Sequence, residues 1–380
     1  QEKRGVGSLR SMKNIKTPTD IKKILWVRPD GVGDATLAAS MLPLLRERFK
    51  QSEIHVVCRS PLYNFYAECP HIDKVIAFNL DRFLNYEPYR IQLTSLLAQN
   101  KYGLCLDSSR SPTFVTQFLI ENSGAEVKIN YGQAIGETAP SRPHMYHGPH
   151  ISELKSHKNF INKIGCNAKE ELNPLIWIPH HTEVFADKIF EENNLKRSNT
   201  IVLAPGCGGR TWCVSDHEVS PPSNRDYDHY GEALEAICKE KDHTLLLVGA
   251  HKDLPAIRRN LRNFNGKTVD LVGKSSILEM AAIIKRSCLF VGPDSGAAHL
   301  ACAVGTPNAI ILGGGEYGRF FPYSPVTYVA TLPLDCFGCL WDCKFDHPYC
   351  IDNVLPKTLE EAIRGALESS DKKTYYQKSL

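Results

Sequence analysis

The sequence predicts an α/β protein of two doubly wound, Rossmann-like domains that face each other across a cleft, with a small Cys-rich loop near the C-terminus. Short apolar segments of strand type alternate with segments of helical periodicity in both halves of the chain. This alternation is typical of parallel β-α-β units. A length of 380 residues suits two domains, and we predict them at 1–178 and 179–355. A C-terminal helix and tail would follow at 356–380.

Composition and charge exclude several classes of protein. Hydrophobic residues make up 42% and charged residues 23% of the chain, which suffices for folded cores. The 45 basic and 42 acidic residues leave a net charge of +3, too little for binding nucleic acid by charge alone. No apolar run reaches the roughly 18 residues that span a bilayer. We therefore expect a cytoplasmic protein with no nucleic-acid partner and at most peripheral membrane contact.

The predicted elements follow one another regularly. In the first half, strands at 24–27, 54–58, 74–78 and 104–107 are separated by helical segments, and a long polar loop follows at 130–158. The second half has strands at 200–204, 243–249, 268–271, 288–291 and 308–312. Its helices are predicted at 182–196, 230–239, 256–264, 276–286, 297–304 and 359–367.

The first glycine loop runs from Arg28 to Asp34 between a strand and an amphipathic helix. It lacks the third glycine of a dinucleotide-binding loop and the Gly-Lys-Ser/Thr ending of a P-loop. A carboxylate, Asp34, stands instead at the start of the helix. Two interpretations remain open and compatible: Asp34 caps the helix, or it is a general base in the cleft.

Two further loops lie in the second half. The loop at 204–212 carries Gly206 and Arg210, and the loop at 291–299 carries Asp294, Ser295, Gly296 and His299. Ligands of open α/β sheets bind beyond the carboxyl ends of the strands, and helix N-termini attract anions. These loops could hold a diphosphate. The alternatives are a turn with a solvated arginine, and an aspartate cap beside a buried histidine.

In order and position, the three loops resemble those of the glycosyltransferase family 9 heptosyltransferases. The resemblance extends over about 22–365 and is most specific in the stretch from 272 to 307. That stretch includes Val272-Gly273-Lys274-Ser275-Ser276, Gly292-Pro293-Asp294-Ser295-Gly296-Ala297-Ala298-His299 and Gly305-Thr306-Pro307. The other matching parts are Arg28-x4-Gly33-Asp34 and Pro205-Gly206 with Arg210-x-Trp212, where the family more often has lysine than arginine at position 210.

The resemblance implies a GT-B enzyme that transfers a sugar with inversion from a nucleotide-activated donor, ADP-heptose in most of the family. It implies a C-terminal donor domain, an N-terminal acceptor domain and no catalytic metal. The acceptor could be a lipopolysaccharide core precursor, a protein or a small molecule. Asp34 would be the base; Gly206, Arg210, Lys274, Asp294, Ser295, Gly296 and His299 would bind the donor; Arg28, Asp107 and Arg142 would bind the acceptor.

Two other functions remain open at this point. One is an epimerase-like or phosphorylase-like enzyme of the same architecture, which would need a pocket closed to large acceptors. The other is a non-catalytic sugar-nucleotide or metal-binding protein, in which Asp34 would only cap a helix. Replacement of Asp34 distinguishes these from a transferase, because only a transferase needs that carboxylate as a base.

Four of the 13 cysteines crowd into fifteen residues near the C-terminus, in the pattern C-x2-C-x3-C-x6-C. A C-x2-C hook with two further thiols can close a tetrahedral metal site. A reducing compartment favours metal over disulfides. We expect structural zinc or iron, with disulfides or free thiols as the alternatives. A similar segment occurs in part of the resembling family. The cysteines are Cys336, Cys339, Cys343 and Cys350.

Overall fold

The computed structural model describes residues 21–110, 113–132, 151–207, 225–321, 326–369 and 374–378. The predicted residues Arg142 and Arg210 lie outside these ranges. In the described part of the chain no helix combines the length and apolar character needed to cross a bilayer.

The N-terminal lobe is a parallel five-stranded sheet in the order β3-β2-β1-β4-β5, flanked by helices. Its strands are β1 (Lys23–Arg28), β2 (Glu53–Arg59), β3 (Lys74–Phe78), β4 (Leu104–Asp107) and β5 (Val127–Asn130). Its helices are α1 (Val32–Ala38), α2 (Leu42–Arg48), α3 (Tyr63–Ala67), α4 (Leu80–Asn85), α5 (Glu87–Gln99), α6 (Phe114–Glu121) and α7 (Glu153–Lys163).

The C-terminal lobe is a parallel seven-stranded sheet in the order β12-β11-β10-β9-β6-β7-β8. Its strands are β6 (Thr200–Leu203), β7 (Thr244–Leu247), β8 (Lys267–Asp270), β9 (Leu289–Pro293), β10 (Asn308–Ile311), β11 (Thr327–Thr331) and β12 (Thr374–Lys378). Its helices are α8 (His180–Glu192), α9 (Tyr230–Glu240), α10 (Leu254–Asn260), α11 (Ile277–Arg286), α12 (Gly296–Ala303), α13 (Tyr349–Asp352) and α14 (Pro356–Glu368).

Local sequence explains why these elements form. Every residue of β4, β6 and β7 is buried, because parallel strands are covered by helices on both faces. Helix α11 begins with a capping box, in which Ser276 accepts from the Glu279 N–H and Glu279 accepts from the Ser276 N–H. The prediction of two doubly wound α/β lobes is confirmed.

Three strands and three short helices were absent from the prediction. Strands β5 and β11 lie at 127–130 and 327–331, and helices α4, α6 and α13 lie at 80–85, 114–121 and 349–352. Strand β12 forms within the predicted tail and pairs with β11 in parallel register, Thr327 opposite Thr374. Thr374-Tyr375-Tyr376 has high β propensity, but the strand ends in the polar residues Gln377 and Lys378 and so lacks the apolar run by which the other strands were predicted.

Candidate active site

The two lobes touch through the first turns of α1 and α12. A Cβ atom placed on Gly33 would lie 2.8 Å from Cδ2 of His299, and one placed on Gly296 would lie 3.1 Å from Cβ of Val32. Only the absence of side chains at these two positions permits so close an approach. The Asp34 segment and the 294–299 turn therefore share one crevice.

Asp34 is the third residue of α1, inside the first helical turn. The N-cap is Gly31, and no side chain caps this helix, so capping does not explain the carboxylate. The pKa of Asp34 is raised to about 6, first by burial and then by the negative charges of Asp30 and Glu153, against the opposing cations Arg28 and Arg319. A carboxylate with such a pKa is still charged at pH 7 and is a stronger base than an ordinary aspartate.

Arg28 and Asp107 form the wall behind this loop. Arg28 pairs with Asp30 Oδ2 at 2.8 Å and donates to Ser108 Oγ at 2.9 Å and to the carbonyl oxygen of Asp34 at 3.3 Å. Asp107, at the end of β4, accepts from the Ser109 N–H at 2.9 Å. Both predicted acceptor residues are almost fully buried. Their described contacts hold the Asp34 loop in place, and their contact with an acceptor stays a prediction.

The opposite side of the crevice is the turn from β9 into α12. Ser295 is the N-cap residue of α12, yet its side chain makes no capping hydrogen bond. Among the described residues, the buried Ser295 Oγ and His299 Nδ1 have no hydrogen-bond partner. His299 Nε2 lies 3.5 Å from Asp294 Oδ1. Buried polar atoms normally find partners, so their clustering at a helix N-terminus points to a ligand here.

A charged chain that the sequence analysis missed links this turn to the N-terminal lobe. Arg225 donates to the Asp294 carbonyl oxygen at 3.1 Å and pairs with Glu316 at 3.3 Å. Arg319 then pairs with Glu316 and with Glu153, each at 2.9 Å. One signal could have revealed Glu316 and Arg319: they follow the glycine triplet after a predicted strand, where ligands of such sheets bind.

Two other predicted donor residues lie beyond strand ends in the same lobe. Gly206 follows β6, and a Cβ atom placed there would overlap the side chain of Asp253. Lys274 follows β8, and its ammonium donates to the Asp270 carbonyl oxygen at 2.7 Å. Since the strands are parallel, both residues stand at the sheet edge that also carries the 294–299 turn.

Comparisons with known proteins agree with the resemblance of the three loops. A family model described as "Glycosyltransferase family 9 (heptosyltransferase)" matches residues 209–346. Lipopolysaccharide heptosyltransferase 3 of Escherichia coli K12 is 22% identical over 308 residues, which make up 77% of this chain and 83% of that protein. The chain is thus similar to glycosyltransferase family 9, as the three loops predicted. The two matches support a glycosyltransferase of the heptosyltransferase type.

Solved structures of family 9 proteins share its architecture. A family 9 glycosyltransferase from Veillonella parvula superposes with a TM-score of 0.70 at 17% identity, over 92% of this chain and 99% of that one. The ADP-heptose lps heptosyltransferase II of E. coli gives a TM-score of 0.64 at 17% identity, over 91% and 98%. The GT-B arrangement of two facing lobes is thereby confirmed.

The Cys-rich loop packs against the glycine residues that follow β10. Its four cysteines are free thiols, so they form no disulfide with one another here. The pKa of Cys350 is raised to about 11, mainly by burial and less by the charges of the Cys339, Cys336 and Cys343 thiols. The four thiols are therefore within electrostatic range of one another. Within the described ranges, however, no three His, Cys, Asp or Glu side chains are already arranged to hold a metal ion.

A more distant structure shares the fold. An iron-containing dodecameric glycosyltransferase, TibC from enterotoxigenic E. coli H10407, superposes with a TM-score of 0.50 at 11% identity. The alignment covers 96% of this chain and 83% of that one.

Proposed function

We propose that this enzyme transfers a heptose from ADP-heptose to a hydroxyl group of a glycan acceptor, with inversion at the anomeric carbon. The observation that carries the proposal is the crevice itself. A half-buried carboxylate with a pKa of about 6 faces a helix N-terminus with unpartnered buried polar atoms. One structural relative is named for ADP-heptose, and the matching curated relative is a lipopolysaccharide heptosyltransferase.

Asp34 acts as the general base. A sugar hydroxyl is a weak nucleophile, and removal of its proton during attack lowers the barrier. The acceptor oxygen forms a bond to the anomeric carbon while the bond from that carbon to the diphosphate oxygen breaks. The proton goes to the Asp34 carboxylate, and the nucleoside diphosphate leaves with the bonding electrons. One displacement of this kind inverts the anomeric centre.

The turn at α12 stabilises the leaving diphosphate. Its first N–H groups and the helix dipole favour negative charge, and Ser295 Oγ and His299 Nδ1 are buried polar groups at the same place. Gly206, Arg210 and Lys274 are proposed on the donor side, and Gly296 allows the lobes to meet. Charge stabilisation by fixed dipoles and cations can serve in place of a divalent metal at the reaction centre.

The acceptor is proposed to bind the N-terminal lobe, with Arg28, Asp107 and Arg142 on its side of the crevice. By analogy with the curated relative, a lipopolysaccharide core sugar is the acceptor to test first. This assignment keeps the division into an acceptor domain at 1–178, a donor domain at 179–355 and a C-terminal segment at 356–380. It also keeps the cytoplasm as the proposed compartment, where nucleotide sugars are available.

The proposed function is tested by incubating the purified enzyme with ADP-heptose, with and without a truncated core glycan. The expected result is ADP release that requires the acceptor, and a glycan product heavier by one heptose. An isomerised donor without acceptor would indicate an epimerase-like enzyme. Binding of donor without any turnover would indicate a non-catalytic binding protein.

We also propose that the four loop thiols hold a structural zinc or iron ion. The thiols are within electrostatic range of one another, thiolates suit both metals, and one structural relative is an iron-containing glycosyltransferase. The ion would tie the loop to β10 and would take no part in the transfer. Elemental analysis should find about one metal ion per chain, bound by the four thiols. The variant Cys339→Ser should have a lower metal content. Metal-free protein with four titratable thiols would contradict this proposal.

A further inference from the structure

The Cys-rich loop reaches the donor side of the crevice through Trp341. The guanidinium carbon of Arg225 lies 5.0 Å from the centroid of the Trp341 ring, within the range of a cation–π interaction. The same guanidinium donates to the Asp294 carbonyl oxygen at 3.1 Å. A single aromatic ring of the loop therefore supports the cation that stands beside the α12 turn.

The Cys-rich loop packs tightly against the glycine residues that follow β10. A Cβ atom on Gly314 would overlap Phe337, and one on Gly315 would overlap Trp341, so both rings rest directly on the glycine backbone. The Gly338 and Leu340 N–H groups donate to the carbonyl oxygens of Gly314 and Gly315, each at 2.7 Å. The rings cannot shift without disturbing the backbone that follows β10.

The backbone of the Cys-rich loop is strained at Trp341 and at the residue before it. Leu340 and Trp341 have φ angles of 53° and 62°, the left-handed region that residues other than glycine rarely adopt. Such conformations are unfavourable by themselves and persist where the surrounding structure fixes them. Two consecutive residues in this conformation place the indole ring next to Arg225.

We propose that Arg225 is a donor-binding residue that contacts the leaving diphosphate, and that Trp341 is the positioning residue that holds its guanidinium there. The inference rests on the proposed transferase function and adds a role for the Cys-rich loop. Arg225 is paired with Glu316 at 3.3 Å and lies 3.8 Å from the Asp294 carboxylate. These two anions and the indole hold the Arg225 guanidinium beside the N-terminus of α12. A diphosphate bound there would contact both the guanidinium and the first N–H groups of the helix.

The chemistry suits a diphosphate better than a neutral sugar. Arginine presents a planar fork of donors that matches phosphate oxygens, and it stacks on aromatic rings without losing those donors. The guanidinium already contacts oxygen atoms of Asp294 and Glu316, and a diphosphate would compete with the Glu316 carboxylate for its donors. Any opening of the Cys-rich loop would remove the ring, release the guanidinium and weaken donor binding.

Calorimetric titration of the full chain with ADP tests the proposal. Arg225→Ala should weaken ADP binding by about 10- to 100-fold. Trp341→Leu fills the space without a π face and should weaken it about 5- to 10-fold, whereas Trp341→Phe should stay within about 3-fold of wild type. The double variant Arg225→Ala/Trp341→Leu should bind no more weakly than Arg225→Ala. In turnover, the donor KM should rise more than kcat falls.

Phe345→Ala is the matched control, because Phe345 is an exposed ring of the same loop, 5.1 Å from Lys344. It should bind ADP as the wild type does. Equal losses in Trp341→Leu and Trp341→Phe, or additive losses in the double variant, would overturn the positioning role. Unchanged ADP affinity in Arg225→Ala would overturn the whole inference, even if both Trp341 variants failed to fold. A wild type that neither binds ADP nor transfers sugar would instead refute the proposed function.

Discussion

Glu153 and Arg319 join the two lobes twice. Arg319 Nε donates to Glu153 Oε2 at 2.9 Å, and the Glu153 N–H donates to the Arg319 carbonyl oxygen at 2.9 Å. Glu153 begins α7 in the N-terminal lobe, and Arg319 follows β10 in the C-terminal lobe. Both charges act on the pKa of Asp34, in opposite directions. Contact between the lobes therefore sets the environment of the proposed base.

The first prediction concerns the pH dependence of transfer. For the wild type, kcat/KM should rise with pH and level off above about pH 6, where Asp34 is deprotonated. Glu153→Gln removes a negative charge and lowers the pKa of Asp34. The rising part of the pH profile, called the limb below, should therefore move to lower pH. Arg319→Gln removes a positive charge and should move it to higher pH.

The control for these two variants is Glu171→Gln, which breaks an ion pair between the exposed Glu171 carboxylate and Lys158. It should leave the limb in place. Shifts of Glu153→Gln and Arg319→Gln in the same direction would contradict the assignment of Asp34 as the titrating base.

The second prediction concerns stability. The pKa of Asp34 is about 6 in the folded protein and 3.8 as its ordinary value. The folded state therefore binds the proton more tightly, and this group lowers the free energy of unfolding as the pH rises from about 4 to 6. The loss is at most about 3 kcal/mol at pH 7, and solvent reaching the carboxylate reduces it.

Asp34→Asn should accordingly melt at a higher temperature than the wild type at pH 7, with the difference shrinking below about pH 4. Thermal unfolding followed by circular dichroism at both pH values measures this. The exposed Glu170→Gln serves as the reference substitution and should change the melting temperature little. A less stable Asp34→Asn protein at pH 7 would show that the carboxylate is not destabilised by burial.

The third prediction concerns the approach of α1 to α12. Gly33→Ala would place a Cβ atom 2.8 Å from Cδ2 of His299, so the lobes must separate or His299 must move. We expect kcat/KM to fall on the order of 10- to 100-fold, because misplacement by about 1 Å is costly in catalysis. Gly31→Ala is the matched control, since a Cβ atom there would have no neighbour within 4 Å. Equal activity of the two variants would contradict the close interface.

Sequence reasoning succeeded where the signal was local. The succession of apolar strand, glycine loop and helix predicted both the Arg28–Asp34 loop and the 294–299 turn. Hydrophobic periodicity and turn-forming residues are properties of neighbouring positions, so the sequence shows them directly. That the Asp34 loop and the 294–299 turn face one cleft was expected from the resemblance of these loops to a family. The close approach at Gly33 and Gly296 is visible only in the structure.

The residues that sequence reasoning missed depend on long-range pairing. Glu153 and Arg319 are 166 positions apart, and Arg225 reaches Asp294 over 69 positions. No periodicity marks such pairs, because folding alone brings them together. Trp341 lies within the cysteine pattern, but its position beside Arg225 depends on a left-handed backbone conformation, which composition does not reveal. Strand β12 was missed because edge strands lack the apolar run of a buried strand.

The most direct test of the central claim compares Asp34→Asn with the wild type in two assays on the same preparations. One assay measures kcat with saturating ADP-heptose and acceptor, and the other measures the Kd for ADP-heptose. We predict that kcat falls on the order of 10²- to 10⁴-fold while the Kd changes by less than about 3-fold. Turnover close to that of the wild type would contradict the assignment of Asp34 as the base of the transfer.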